Sequence, residues 1–164
     1  MLFRSKNITN YVNGITKNID LDIVGIQDTA QAAEYLNYLI NSDYTHIAAD
    51  SETSSLYARN GNVLGVCLSH KEQQGVYIDA DCITEDLEVL FQKLFDCKTI
   101  IFHNSKFDIR MLNYHFNWTF PNFEDTLLLH YCLNEQPGTH DLKQLALKYT
   151  DLGDYDKENH KSDL

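Results

Sequence analysis

The chain has 164 residues, of which 43% are hydrophobic, and a formal net charge of −11. This length suits one domain with a sizeable core. The excess of acidic groups argues against broad electrostatic binding of nucleic acid, although a bound metal ion can turn an acidic pocket into a phosphate site. The sequence has no apolar run long enough to span a membrane, no signal-peptide pattern and no Cys-x-x-Cys pair, which predicts a cytoplasmic protein with reduced thiols, no membrane partner and no zinc site.

The first half of the sequence predicts a helix and several strands. Polar residues dominate 1–20, which predicts a lead-in outside the main domain. A strand is predicted at 21–25. A helix should follow from Asp28 or Thr29 to Ile40, because apolar residues recur there at helical spacing. Turn signals then separate three further predicted strands, an arrangement typical of an antiparallel meander, at 46–50, 63–69 and 74–79.

The second half of the sequence is mainly helical in pattern. One strand is predicted at 99–102, and the predicted helices lie at 85–95, 106–116, 125–133 and 141–150. The polar residues 151–164 predict a flexible tail, so the predicted domain spans 21–150. Strands in succession followed by helix–strand–helix indicate an α/β fold.

Two carboxylates stand at the end of the second predicted strand. Asp50 and Glu52 are two residues apart, so both leave the same face of a strand. Like charges at close range resist ionising together unless a cation lies between them, and Mg²⁺ and Mn²⁺ prefer oxygen ligands. The pair therefore predicts a metal site for phosphoryl chemistry, with a solvated strand end as the alternative.

A second polar segment follows the predicted strand at 99–102. Asn104 stands where it can cap the next helix and meet a phosphate at the helix N-terminus. Asp108 falls in the first turn of that helix, where a carboxylate also complements the helix dipole. A cap and a first-turn acid without further function are the competing interpretation.

These segments belong to an ordered set of four motifs, which are Asp50-x-Glu52-Thr53…Leu56, His103-Asn104-x-Lys106-Phe107-Asp108…Leu112, Asp125-Thr126-Leu127-Leu128…Tyr131 and His140-Asp141-Leu142-x-x-Leu145-Ala146…Tyr149. Together they resemble the 3′–5′ proofreading exonuclease domain of family A, or DNA polymerase I-like, DNA polymerases. That domain belongs to the DEDD, ribonuclease H-like superfamily. The later stretch Leu152-Gly153-Asp154-Tyr155 resembles the phage versions.

The resemblance implies a fold and an activity. The fold is an α/β, ribonuclease H-like mixed sheet flanked by helices and truncated at the C-terminal helix. The activity is metal-dependent hydrolysis of phosphodiesters at the 3′ end of single-stranded DNA, in the proofreading manner. A phage-encoded protein of this kind works in the cytoplasm of its host.

The resemblance also implies roles for individual residues. Asp50, Glu52 and Asp108 would hold two Mg²⁺ or Mn²⁺ ions, with Asp50 bridging both, and would be the catalytic carboxylates. Asp125 would support the site, although a plain helix cap is the alternative. The residues that would contact the terminal nucleotide are Thr53, Leu56, Asn104 and Phe107. Phe107 suits stacking on an unpaired base, and packing in the interior is its competing interpretation.

One family feature is not found among the 164 residues. The family has a third motif, Tyr-x-x-x-Asp or His-x-x-x-x-Asp, whose aspartate is a fourth metal ligand. The Tyr77–Asp81 spacing precedes the second motif, and the His103–Asp108 spacing is the second motif itself. We therefore expect a domain that is incomplete or weakly active alone. Its partner would be a polymerase polypeptide, or a second copy bound through the face left open by the missing helix.

Two other functions fit the same pattern. A degenerate exonuclease fold could serve only to bind a polymerase or another replication protein, and the missing motif and the acidity favour this. A ribonuclease of the same superfamily is the third alternative. The polymerase-like stretch at 152–155 argues against it.

Overall fold

The computed structural model describes residues 22–150, so the predicted lead-in at 1–20 and tail at 151–164 lie outside the described residues. The helices are α1 (Thr29–Asn41), α2 (Glu85–Cys97), α3 (Ser105–Phe116), α4 (Thr126–Leu133) and α5 (Leu142–Tyr149). The strands are β1 (Asp22–Ile26), β2 (His46–Thr53), β3 (Val63–Ser69), β4 (Gln74–Asp79), β5 (Thr99–Phe102) and β6 (Phe123–Asp125). None of these helices is long and apolar enough to cross a membrane.

The strands form one mixed sheet in the order β1-β4-β3-β2-β5-β6. Strands β2, β3 and β4 make the predicted antiparallel meander, which is therefore confirmed. Strands β2, β5 and β6 are neighbours and run parallel. Because the carboxyl ends of parallel strands meet at one edge of a sheet, the residues that follow β2, β5 and β6 gather at that edge, the usual place for a site in α/β proteins.

The interior lies on one face of this sheet. Strand β2 alternates strictly between exposed and buried residues, with Ile47 and Ala49 facing inward. Helix α1 buries Leu36 and Leu39, and α2 buries Phe91 and neighbouring apolar residues, in the same core cluster. The alternation on β2 matters for function because it fixes which of its side chains remain outside.

Several element boundaries differ from the sequence prediction by one to three residues, and two of the differences affect the site. Strand β2 continues to Thr53 rather than ending at Asp50, so Glu52 lies within the strand. The helix predicted from Asp125 begins at Thr126, and Asp125 instead ends β6. The sequence did not reveal β6 because its three residues, two of them acidic, are too few to show a period.

The described residues divide into two compact units, 22–129 and 130–150. In the second unit, His130 and His140 are buried, and their Nδ1 atoms lie 2.8 Å apart. The His140 ring stacks on Tyr131, with 4.3 Å between ring centroids. His140 immediately precedes the Asp141 cap of α5 and is buried.

Candidate active site

Asp50 and Glu52 lie on the same face of β2, as their spacing predicts. Both side chains are exposed, and Ser51 between them is buried on the opposite face. Pairing with β3 is regular up to Glu52, and the register shifts between Glu52 and Thr53. This irregularity turns the chain out of the sheet directly after the two carboxylates.

Asp108 is joined to the same strand from α3. Its Oδ1 accepts a hydrogen bond of 2.9 Å from the Ser51 backbone N–H and another of 2.6 Å from the Ser51 hydroxyl. Strand β5 pairs with β2 only as far as Ala48, so the Ser51 N–H has no partner from β5. Asp108 satisfies that donor and is thereby fixed against Ser51, the residue between Asp50 and Glu52.

The three carboxylates affect one another electrostatically. Partial burial, followed by the negative charges of Asp108 and Glu52, raises the pKa of Asp50 to about 6. Burial also raises the pKa of Asp108, although the two hydrogen bonds from Ser51 oppose the shift. Asp50 therefore stands at the centre of an acidic cluster whose charged form is disfavoured, and a cation nearby would relieve that cost.

The donor set of this cluster suits a divalent cation. Carboxylate oxygens are the ligands that Mg²⁺ and Mn²⁺ prefer. Burial and, after it, the charges of Asp108 and Glu52 raise the pKa of Asp50, and a bound cation would offset both. Within residues 22–150, however, no three His, Cys, Asp or Glu side chains stand ready to hold a metal ion. Metal binding at this site therefore requires the Asp50 and Glu52 side chains to move, since Ser51 holds Asp108.

Asp125 connects the starts of two helices. Its carboxylate accepts hydrogen bonds from the backbone N–H groups of Asn104 (3.1 Å) and Ser105 (2.8 Å) at the start of α3. It also accepts from Leu127 (2.9 Å) and Leu128 (3.4 Å) at the start of α4. Burial tends to raise the pKa of Asp125, but these hydrogen bonds outweigh it and the pKa is lowered. The carboxylate is a double cap that fixes the helix carrying Asp108.

The predicted capping role of Asn104 is wrong. Its side chain makes no capping hydrogen bond, and its backbone is left-handed, with φ 67°. Asp125 supplies the cap, so the Asn104 side chain is released to the surface, where it is exposed. A left-handed residue here suits asparagine, which tolerates that conformation better than most side chains.

The other predicted substrate residues lie around the same edge. Leu56 is 72% exposed, and its carbonyl accepts a hydrogen bond of 3.3 Å from Arg110 on α3. Thr53 uses its hydroxyl to donate to the carbonyl of Ser55. Phe107 is half-buried and, with Asn104, lines a pocket of about 200 Å³. Accessible side chains of this kind are available to a ligand.

Sequence reasoning missed two features of this face. Nothing in the sequence indicated a role for Ser51, yet it makes both hydrogen bonds to Asp108. The Tyr77 ring occupies the space beside Gly65, where an added Cβ would come within 2.3 Å of it, and Gly65 pairs with Glu52. Only the folded structure reveals these contacts, because the partners are distant in sequence.

Comparison with known proteins gives a family match. The profile of a 3′–5′ exonuclease family matches residues 23–164. The DNA polymerase of Escherichia phage T5 is 47% identical over 95% of this chain, and DNA polymerase I of Borreliella burgdorferi is 32% identical over 90%. The chain spans 19% and 17% of the lengths of these two relatives, about a fifth.

A solved structure agrees on the fold. Brucella melitensis NrnC, in a structure with bound Mg²⁺, superposes with a TM-score of 0.62 and 19% sequence identity. The superposition covers 81% of this chain and 63% of NrnC. At this level of identity the match concerns the arrangement of the sheet and helices.

Proposed function

The chain belongs to the 3′–5′ exonuclease domain family of polymerases related to DNA polymerase I, and from that membership we propose that it removes mononucleotides from the 3′ end of single-stranded DNA. One observation carries the proposal most directly. Asp50, a carboxylate of the first family motif, has its pKa raised to about 6, first by burial and then by the charge of Asp108 of the second motif. Such perturbed carboxylates at the carboxyl end of a strand are typical of catalytic sites.

Exonucleases of this family generally depend on divalent metal ions, and we propose Mg²⁺ or Mn²⁺ here. Asp50, Glu52 and Asp108 would hold the metal, and NrnC with its bound Mg²⁺ supports this by analogy of fold. When bound, divalent metal polarises the scissile phosphate and lowers the pKa of a water molecule, typically at a pair of ions. Three carboxylates concentrated around one strand end supply ligands of the right type.

The protein residues prepare the site for that chemistry. Ser51 holds Asp108 by two hydrogen bonds, which limits its rotation and keeps its position relative to β2. Asp125 fixes the first turn of α3 and so the approach of Asp108 and Asn104. We propose that Thr53, Leu56, Asn104 and Phe107 contact the terminal nucleotide, which is supported by the exposure of Leu56 and Asn104.

We further propose that a polymerase polypeptide completes the site. The third family motif is absent from these 164 residues, and both polymerase relatives are about five times longer than the matched segment. Exposed leucines on α4, Leu128, Leu129 and Leu133, offer apolar contact area for such a partner or for a second copy. The host-cell cytoplasm, where a phage polymerase acts, remains the predicted location.

A directionality assay tests the proposed activity. Single-stranded DNA labelled at its 5′ end should give a ladder that shortens one nucleotide at a time, whereas a 3′ label should appear at once as mononucleotide. Cleavage should require Mn²⁺ or Mg²⁺ and stop when a chelator is added, because the carboxylates alone do not activate water. We expect slow turnover from the chain alone and faster turnover with the downstream polymerase polypeptide.

The same assay separates the alternatives. Internal cleavage or shortening from the 5′ end would contradict the proposal. An absence of cleavage, with or without the polymerase polypeptide, would favour the degenerate binding module. A strong preference for RNA of the same length would point to the ribonuclease alternative.

A further inference from the structure

The arginines of this acidic chain are concentrated at one place. The sequence contains three, Arg4, Arg59 and Arg110. Both that fall within residues 22–150 line a single cavity of about 430 Å³. The remaining lining residues are Tyr57, Ala58, Asn60 and Tyr114. Two guanidinium groups and two tyrosine rings in one cavity form an unusual combination for a protein with net charge −11.

Neither guanidinium forms an ion pair with a carboxylate of residues 22–150. The ion pair in the described part of the chain joins His46 and Glu124, and neither arginine takes part in it. Arg110 donates one hydrogen bond, of 3.3 Å, to the carbonyl of Leu56, and Arg59 is exposed. Arginine binds phosphate through a rigid fork of donors, so two unpaired arginines in one cavity suit a phosphate ligand.

The tyrosines are equally available. Tyr57 is 66% exposed and Tyr114 is 57% exposed. Large exposed rings lose apolar contact with the interior, and an unpaired base can stack on them instead. The cavity volume lies within the range of about 300–1,000 Å³ that small-ligand sites occupy.

The cavity is built from the same elements that carry the carboxylates. Tyr57 and Arg59 lie in the segment that follows β2, and Arg110 and Tyr114 are four residues apart on α3. The segment is held in shape by the Arg110–Leu56 contact and by Gly61, whose replacement by a larger residue would collide with Ser55.

Arg110 also links this cavity to the smaller pocket. That pocket, about 200 Å³, is lined by Asn104, Lys106, Phe107 and Arg110. Asn104 and Phe107 are the residues proposed to contact the terminal nucleotide. A strand whose last nucleotide occupies the smaller pocket can therefore continue past Arg110 into the larger one.

We propose that the cavity of Tyr57, Arg59, Arg110 and Tyr114 is a second nucleotide subsite. The subsite binds a phosphate and an unpaired base of single-stranded DNA on the 5′ side of the terminal nucleotide. The choice of DNA as its ligand rests on the proposed function. The arginines hold the phosphate and the tyrosines stack on the base. The subsite gives a strongly acidic chain a local means of holding a polyanion.

Binding in the presence of EDTA tests the subsite without catalysis. Fluorescence anisotropy is measured with 5′-labelled oligothymidylates of one to six nucleotides on the full chain. Arg59→Ala should weaken binding of the dinucleotide and longer oligomers about tenfold and leave binding of the mononucleotide nearly unaffected. It should also reduce the salt dependence of log K by about 0.7, the value for one lost contact with a single-strand phosphate. Tyr57→Ala should weaken binding at least about fivefold, and Tyr57→Phe should retain it.

Lys93→Ala is the matched control, since Lys93 is exposed on α2 and its loss changes the net charge equally. The control should bind like the wild type. Equal effects of Arg59→Ala and Lys93→Ala, equal binding of duplex DNA, or tighter arginine-dependent binding of RNA would each overturn the proposal.

Because no hydrolysis occurs in EDTA, the binding test is independent of the activity assay. The subsite proposal can be wrong while the proposed nuclease activity is right, and the activity can be wrong while the subsite binds DNA. Arg59 is chosen for the test because Arg110, and not Arg59, makes the hydrogen bond to the Leu56 carbonyl.

Discussion

Replacing Asp50 with asparagine is expected to slow nucleotide release from a DNA 3′ end at least about a hundredfold, a loss of roughly 3 kcal/mol of transition-state stabilisation. Asp50 lies at the centre of the acidic cluster, with Asp108 and Glu52 both acting on its pKa. Asparagine keeps the size and one oxygen of the side chain but removes the charge that binds metal. Steady-state rates on a 3′-labelled single strand, compared with wild type, measure the effect.

The fold should survive this change. The pKa of the Asp50 carboxyl is raised to about 6 in the folded state. The group therefore lowers the free energy of unfolding as the pH rises from the carboxyl's ordinary pKa through 6, and the full loss persists at every pH above 6. Asparagine removes this cost, so at pH 8 the variant should melt no lower than the wild type. Asp43→Asn, at an exposed carboxylate between α1 and β2, is the matched control and should keep full activity. Activity retained in Asp50→Asn would remove Asp50 from the proposed catalytic group.

The second large effect is expected at Asp125. Asp125→Ala should lower the free energy of unfolding by about 2–4 kcal/mol, because four backbone N–H groups lose a shared, partly buried acceptor. The first turn of α3 should also loosen. We therefore expect slower catalysis even when the variant is folded, since Asp108 loses its fixed approach. Denaturant unfolding measures the stability, and rates at saturating DNA measure the catalytic loss.

Asp28→Ala provides the comparison for a single cap. Asp28 is exposed and accepts from Gln31 N–H alone at the start of α1, so its loss should cost about 1 kcal/mol and leave activity intact. If the two alanine variants were equally stable, Asp125 would be an ordinary cap. The double-cap interpretation would then be wrong.

The sequence predicted most of the sheet because its strands carry clear signals. The turn residues before β3 and β4 identified the meander. Asp50 and Glu52 share a face because their spacing requires it. Family resemblance supplied the ribonuclease H-like fold, which pattern alone does not specify. The six-stranded order confirms the mixed sheet.

The remaining features depend on contacts between distant residues. Asp125 resembles a local helix cap in sequence, and only the parallel pairing of β5 with β6 brings it to the start of α3. The same holds for Ser51 and Asp108, which are 57 residues apart. Arg59 and Arg110 are unremarkable individually, and they gain a shared role only when the segment after β2 packs beside α3. Short-range periodicity in the sequence carries no information about such long-range contacts.

Calorimetric titration of Mg²⁺ into the full chain tests the central claim most directly, namely that Asp50, Glu52 and Asp108 form a metal-binding catalytic cluster. The wild type should show saturable binding at millimolar Mg²⁺ or tighter, and Asp50→Asn should lose it. Binding should release more protons at pH 6 than at pH 8, because Asp50, with a pKa of about 6, must lose its proton to the solvent when the metal binds. No saturable binding in the wild type, or equal binding in Asp50→Asn, would contradict the claim.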